Sequence, residues 1–243
     1  MRARKSARAS TLISSLAIVA LAALLLYQFG LFMLVVWFNF QNPGSSAFMN
    51  ATLTELRATD PKAELRQQWV PYDQISNSLK RAVIASEDAN FTDHEGVEWD
   101  AIRKAWEYNL KQAQRGKSAM RGGSTITQQL AKNLFLSGSR SYLRKGQELI
   151  LAYMIEAVMS KQRILELYLN VAQWGVNVFG AEAAARHYYR TGAARLSNAQ
   201  AARLAAMLPN PSYYDSHRDT PYLRKRAGTI QARMRLVELP AAP

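Results

Sequence analysis

The sequence has no cysteine, which excludes a disulfide, a thiol nucleophile and a Cys-ligated metal site. Histidine is nearly as scarce. His94, His187 and His217 are the three in the chain, and they lack the spacing of zinc ligands. Strand-like alternation of apolar and polar residues is rare and there is no internal repeat, so the pattern from residue 60 to 240 reads mostly helical. Charge is absent from Ala9 through Thr54.

Within that uncharged stretch Leu12 to Phe38 is almost entirely apolar, and a bilayer span needs about 20 such residues. Arg2, Arg4, Lys5 and Arg8 precede it with no acidic residue. By the positive-inside rule the N-terminus then stays cytoplasmic and the remainder lies outside. Trp37 and Phe38 suit an aromatic belt at the interface. The competing reading is a signal peptide cleaved near Ser45-Ser46-Ala47, but its apolar core would be about 7–15 residues long. The expected division is a basic cytoplasmic tail at 1–10, a transmembrane helix at 11–38, a linker at 39–60 and an extracytoplasmic domain at 61–243.

What charge there is has a pattern. The net charge is +13, and residues 101–163 hold 12 basic against 3 acidic side chains, whereas residues 55–100 hold 5 basic against 10 acidic. A basic centre beside a membrane anchor points to anionic lipid head groups or a phosphorylated substrate. Nucleic acid fits poorly with an extracytoplasmic domain and is not expected. At 49% hydrophobic residues the chain can bury a sizeable core.

The basic region centres on Arg121-Gly-Gly-Ser-Thr-Ile-Thr-Gln-Gln-Leu-Ala-Lys-Asn133. Thr125 and Gln128 have the spacing of a capping box, and free amides at a helix start favour an anion. Thr125, Gln129 and Lys132 share one helix face, beside an apolar stripe of Ile126, Leu130 and Leu134. The polar stripe is aimed either at a ligand or at solvent. Before it, Lys111 to Arg121 reads as a basic loop suited to gating.

Two other stretches carry chemistry. A helix with Leu79, Val83 and Ile84 on one face ends at Glu87-Asp88 and runs into Phe91, His94 and Gly96. Adjacent helical residues point apart, so the two carboxylates have separate jobs. Burial of a carboxylate raises its proton affinity, as a general base requires. Downstream, Arg140, Arg144 and Lys145 crowd a helix start, where cations oppose the macrodipole. Glu148 lies three and four residues on from Lys145 and Arg144 and offsets part of that charge, and a bound phosphate would offset the rest. Lys161–Asn170, Trp174–Gly180 and Ala181–Tyr189 read as scaffold, and Arg224 to Arg235 as an exposed helix.

Five blocks in order resemble the family-51 glycosyltransferases that polymerise bacterial peptidoglycan. They are Glu87-Asp-x-x-Phe91-x-x-His94-x-Gly96, Gly122-Gly-Ser-Thr-Ile-Thr-Gln-Gln-Leu-x-Lys-Asn133, Arg144-Lys-x-x-Glu148-x-x-x-Ala152-x-x-x-Glu156, Arg163-Ile-Leu-Glu-x-Tyr-Leu-Asn170, and Leu204-x-Ala-Met-Leu-Pro-x-Pro211 with Tyr214 and Arg218. The resemblance covers residues 65–220 and leaves no room for a transpeptidase, so the monofunctional type is expected. Glu98 and Gln173 depart from common patterns of the family, away from the core positions.

The resemblance implies a mostly α fold. Its lysozyme-like large lobe is joined by a small lobe around residues 105–145 that dips into the membrane through Leu134, Phe135, Leu136, Tyr142 and Leu143. It implies lipid II and the growing glycan strand as substrates, inversion at the donor sugar, and Glu87 as the base. Glu148 is then the second catalytic carboxylate, orienting the cations or helping the leaving group. The implied substrate contacts are Asp88, Phe91, His94, Gly123, Ser124, Thr125, Gln128, Gln129, Lys132, Asn133, Arg144 and Lys145. No cofactor is obligatory and no metal ligands are expected, although a divalent cation, Mg or Mn, is compatible with the reaction. The implied location is the bacterial inner membrane, with division or penicillin-binding proteins as candidate partners. The rival readings are a membrane-anchored lytic transglycosylase or lysozyme-like enzyme, and a non-catalytic division scaffold.

Overall fold

The computed structural model describes residues 2–116, 122–137 and 141–241, with side chains from Ser14 onward. Of the expected gating loop Lys111 to Arg121, residues 111–114 are instead the last turn of the helix Trp99–Gln114, and residues 117–121 lie outside the described residues, as do Arg140 and the side chains of Arg2, Arg4, Lys5 and Arg8.

The chain forms two compact units, Met1–Gln41 and Asn42–Pro243. The first is a single helix, α1 (Arg2–Phe40), whose segment Ser14–Phe40 is long and apolar enough to cross a membrane. Its 27 residues extend about 40 Å at 1.5 Å per residue, more than the roughly 30 Å hydrocarbon core. No Asp, Glu, Lys or Arg interrupts it.

The second unit opens with a departure from the sequence reading. Half of the expected linker is a helix, α2 (Ala47–Thr59), started by Ser46, whose Oγ accepts the Met49 N–H at 3.1 Å. Met49 is buried, and α2 packs on α5 (Ile126–Phe135). The uncharged first part of α2 was ambiguous because it continues the composition of the membrane span.

The remaining helices are α3 (Asn77–Glu87), α4 (Trp99–Gln114), α6 (Tyr142–Val158), α7 (Lys161–Val171), α8 (Ala181–Tyr189), α9 (Asn198–Met207), α10 (Pro211–Ser216) and α11 (Pro221–Arg233). Among the described residues strand is confined to a two-residue parallel pair, Arg66–Gln67 with Val178–Phe179. Helix α5 is the hub, because α2, α6 and α7 all pack on it. Its Ile126 and Leu130 are fully buried, each burial contributing about 1.5–3 kcal/mol. On the other side α3, α9 and α11 pack together through Ala82, Ala201, Ala202 and Ala205, whose small side chains allow close approach.

Helix α11 exposes Arg224, Lys225 and Arg233, as expected, and keeps one apolar stripe inside. Leu223 and Ile230 are buried, and it packs on α3 and α9. The segments of the implied small lobe lie within the one compact unit, 42–243. Within them α4 buries only Ala105. The apolar surface there differs from the expected one. Leu134 is buried and Phe135 and Leu136 are half-buried, whereas Tyr142 and Leu143 are 98% and 89% exposed. Trp99 and Trp106 on α4 are exposed as well.

Candidate active site

Glu87 is the last residue of α3. Its side chain is 12% exposed, and both oxygens are held. Oε2 accepts the Gln129 Nε2 amide at 3.0 Å, and Oε1 accepts the Ser86 hydroxyl at 2.9 Å. Gln129 is fixed in turn by the Tyr168 hydroxyl, which donates to its Oε1 at 3.0 Å. Burial keeps the Tyr168 phenol protonated well above its usual range, and the nearby Glu87 and Asp88 carboxylates add to that. It is therefore a fixed donor. A carboxylate offers about four acceptor positions, so Glu87 retains lone pairs for a substrate hydroxyl.

Asp88 has a different job, as the helical geometry requires. It caps α3, and its side chain is almost completely buried. Oδ2 accepts the Ile126 N–H at 2.9 Å, the first amide of α5. His94 Nε2 lies 2.9 and 3.0 Å from the two oxygens. His94 Nδ1 accepts the Gly96 N–H at 3.1 Å, so Nε2 carries the proton and donates it to Asp88. The start of α5 thus has its anion within the protein. The capping box also forms, with Thr125 Oγ1 accepting the Gln128 N–H and Gln128 Oε1 accepting the Thr125 N–H. The expectation that this helix start offers open amides to a substrate phosphate is overturned at Ile126, whereas Gln128 is capped as its spacing predicts.

Several residues expected to touch substrate are enclosed instead. Gln128 and Phe91 are fully buried, and Thr125 donates its hydroxyl to the Gly96 carbonyl at 2.5 Å. Phe91 lies under the Lys161 ammonium, 4.8 Å from its ring centre. Asp88 and His94 are likewise committed to internal bonds. These side chains shape the site from behind, because their polar atoms are already satisfied or sealed from solvent. Asn133 is buried near the end of α5.

The cationic group meets the loop that leads into α5. Glu148 on α6 is 4% exposed. Lys145 donates to its Oε1, and also to Ser124 Oγ at 3.1 Å. Arg144 is a weaker partner, with Nη1 4.0 Å from Glu148 Oε2. A buried carboxylate needs such compensation. Lys145 is 48% exposed on its side chain and presents its charge outward. Lys132, half-buried, lies 5.9 Å from the Phe48 ring centre on α2. Gly123 brings the loop before α5 against α4, where a Cβ would stand 3.0 Å from the Ile102 Cα.

Sequence reasoning missed Arg226 and Ser86, and gave no role to Glu156 and Tyr168 although both stand in the quoted blocks. Glu156 accepts from Thr127 Oγ1 at 2.6 Å and from Lys161 Nζ at 2.8 Å. Its i, i+4, i+8 relation to Glu148 and Ala152 marked it as inward-facing. Gly96, at φ +86°, passes so close that a Cβ would lie 2.7 Å from Glu156 Cγ. Arg226 on α11 donates to Ser86 Oγ at 3.1 Å and has Nη2 3.6 Å from Glu87 Oε1. No local pattern links residues 140 positions apart.

The transglycosylase family model matches residues 52–235. Among relatives, the biosynthetic peptidoglycan transglycosylase of Bordetella pertussis is 71% identical over 228 residues, covering 94% of each chain. Those of Janthinobacterium sp. and Chromobacterium violaceum are each 57% identical, covering 93% and 90% of this chain and 96% and 94% of theirs.

Proposed function

The chain belongs to the transglycosylase family, and on that premise we propose the chemistry by which it makes glycan. It is a peptidoglycan glycosyltransferase of cell wall synthesis. The substrate is lipid II, and the donor is the growing strand held through an α-linked pyrophosphate. Glu87 removes the proton from the 4-hydroxyl of the acceptor sugar. That oxygen attacks the donor's anomeric carbon from the face opposite the leaving group. The carbon–oxygen bond to pyrophosphate breaks, its electron pair leaves with undecaprenyl pyrophosphate, and the new linkage is β-1,4. One displacement inverts the centre, so no covalent enzyme intermediate is required.

The observation that carries this reading is the arrangement about α5. Gln129, on the helix, holds a partly exposed carboxylate, and Ser124, just before it, meets a partly exposed cation paired with a buried one. Pyrophosphate is a good leaving group, and its developing charge needs cations rather than a strong acid. Lys145, Arg144 and Lys132 supply them, while Glu148 fixes Lys145. Among the described residues no three His, Asp or Glu side chains gather to hold a metal, so a divalent cation such as Mg or Mn would enter with the pyrophosphate.

The setting follows from α1. Basic residues precede the span and acidic ones do not, which supports a cytoplasmic N-terminus, an inner-membrane anchor and an extracytoplasmic catalytic unit. Exposed Tyr142, Leu143, Trp99 and Trp106 suit a surface resting on the lipid from which the substrate is drawn. The purified protein, incubated separately with lipid II and with finished glycan, tests the reading. Polymer from the first and no cleavage of the second is expected. Cleavage without polymerisation would make it a lytic enzyme.

A further inference from the structure

Arg226 is a guanidinium drawn into the molecule beside the carboxylate assigned as base. It lies on α11, whose buried Leu223 and Ile230 seat that helix against α3 and α9. Its Nη2 donates to Ser86 Oγ at 3.1 Å. The Ser86 hydroxyl has one proton, and the nearer of its two acceptors is Glu87 Oε1 at 2.9 Å, against the Ala205 carbonyl at 3.4 Å. Arg226 Nε is buried without an acceptor. Buried donors left unpaired are uncommon and call for a reason. Here the guanidinium is kept where its charge faces Glu87, with Nη2 3.6 Å from Oε1.

We infer that Arg226 is a positioning residue for the transfer reaction, holding Glu87 through Ser86 so that the carboxylate presents its free lone pairs to the acceptor hydroxyl. The arrangement has two arms. Tyr168 and Gln129 fix Oε2 from α7 and α5, and Arg226 and Ser86 fix Oε1 from α11 and α3. The second arm makes the C-terminal helix, over a hundred residues beyond Glu87 in sequence, part of the catalytic apparatus. Arg226 does not touch substrate in this role. Its service is orientation rather than basicity.

The inference rests on Glu87 being the base, and a double-mutant comparison separates the two. Full-length Arg226→Gln, Arg226→Lys, Glu87→Gln and the Arg226→Gln/Glu87→Gln double variant are assayed on lipid II in detergent, with melting curves. Arg226→Gln is expected to lower kcat about 10–100-fold with KM within about twofold. Arg226→Lys, which keeps the charge but not the fork, is expected to recover part of that loss. In the Glu87→Gln background, Arg226→Gln is expected to add little, because residues acting as one unit are non-additive. A parental rate for Arg226→Gln, or a full additional loss in the double variant, overturns the inference while leaving Glu87 as base. Near-parental activity of Glu87→Gln removes the base assignment and this inference with it. If Arg226→Gln melts early, the Lys variant decides. A stable Arg226→Lys with an unchanged kcat and no loss in any background overturns the inference.

Discussion

Asp88 Oδ2 accepts the Ile126 N–H at 2.9 Å, which places a protein carboxylate where a helix start would otherwise bind a ligand anion. The same side chain receives the His94 proton. One residue therefore joins the end of α3, the start of α5 and the loop between α3 and α4. Neighbouring Glu87 stays at the site edge because Asp88 performs the structural work.

Asp88→Asn is expected to destabilise the domain by about 1.5–3 kcal/mol, the usual worth of hydrogen bonds to a charged group. For a unit of this size that lowers Tm by several degrees, at about 2–4 °C per kcal/mol. Below the melting range, polymerisation should fall less than in Glu87→Gln. Differential scanning calorimetry with an activity assay checks both. An unchanged Tm would mean that Asp88 is not the tie described.

Lys145 and Arg144 differ in what they hold, and their variants should differ accordingly. Lys145 pairs with buried Glu148 and bonds Ser124, so Lys145→Ala should reduce both stability and polymerisation. Arg144 stands 4.0 Å from Glu148, so Arg144→Ala should leave Tm nearly unchanged and weaken turnover by about 10–150-fold, one charge-assisted contact. Steady-state kinetics on lipid II with thermal melts separates the cases. Parental kinetics in both variants would move the pyrophosphate elsewhere.

The apolar surface gives a test of membrane contact. Replacing Tyr142 and Leu143 with Ser in a fragment spanning 42–243 should weaken binding to anionic vesicles about tenfold, from the lost burial of two apolar side chains. Thermal stability should hold, because both are exposed. Vesicle co-sedimentation reads the effect. Equal binding accompanied by a lowered Tm would assign the pair to the fold instead.

Much of this was legible in the sequence because helix starts are written locally. Seven helices begin on a Ser or Thr whose hydroxyl accepts an amide three residues on, Ser46, Ser76, Thr125, Ser141, Ser160, Ser197 and Thr220, and the Thr125–Gln128 box was readable as spacing. The Lys145–Glu148 pair was readable for the same reason. The direction of a side chain between elements was not. Gln129 could face solvent or Glu87, and only the packing of α5 on α7 decides. Phe91 and His94 stood in a chemistry-bearing block, yet Asp88 of the same block and Lys161, brought from α7, hold them inside. Arg226 lay in a charge-rich stretch that reads as surface until α11 is docked.

Asp215 on α10 supplies a pH test of the fold. Burial alone would raise its proton affinity, but the Val176 N–H at 2.9 Å and His187 and Tyr188 at 3.0 Å outweigh that and hold it below the usual carboxylate range. Because the folded value is depressed, its stabilisation is present above the unfolded value and is lost as pH falls through the folded one. Urea unfolding of parent and Asp215→Asn from neutral pH to about pH 3 should show a stability gap that narrows on acidification. A gap that stays constant would contradict the cluster.

The central assignment is tested most directly by Glu87→Gln. The substitution keeps the shape that Ser86 and Gln129 hold and removes basicity. The measurement is a time course of lipid II polymerisation by purified full-length protein, with circular dichroism and binding of a phosphoglycolipid inhibitor as controls. The expected result is a folded protein that binds the inhibitor and elongates glycan about 10²–10⁴-fold more slowly. A rate within about tenfold of the parent would contradict Glu87 as the base and shift the role first to Glu148.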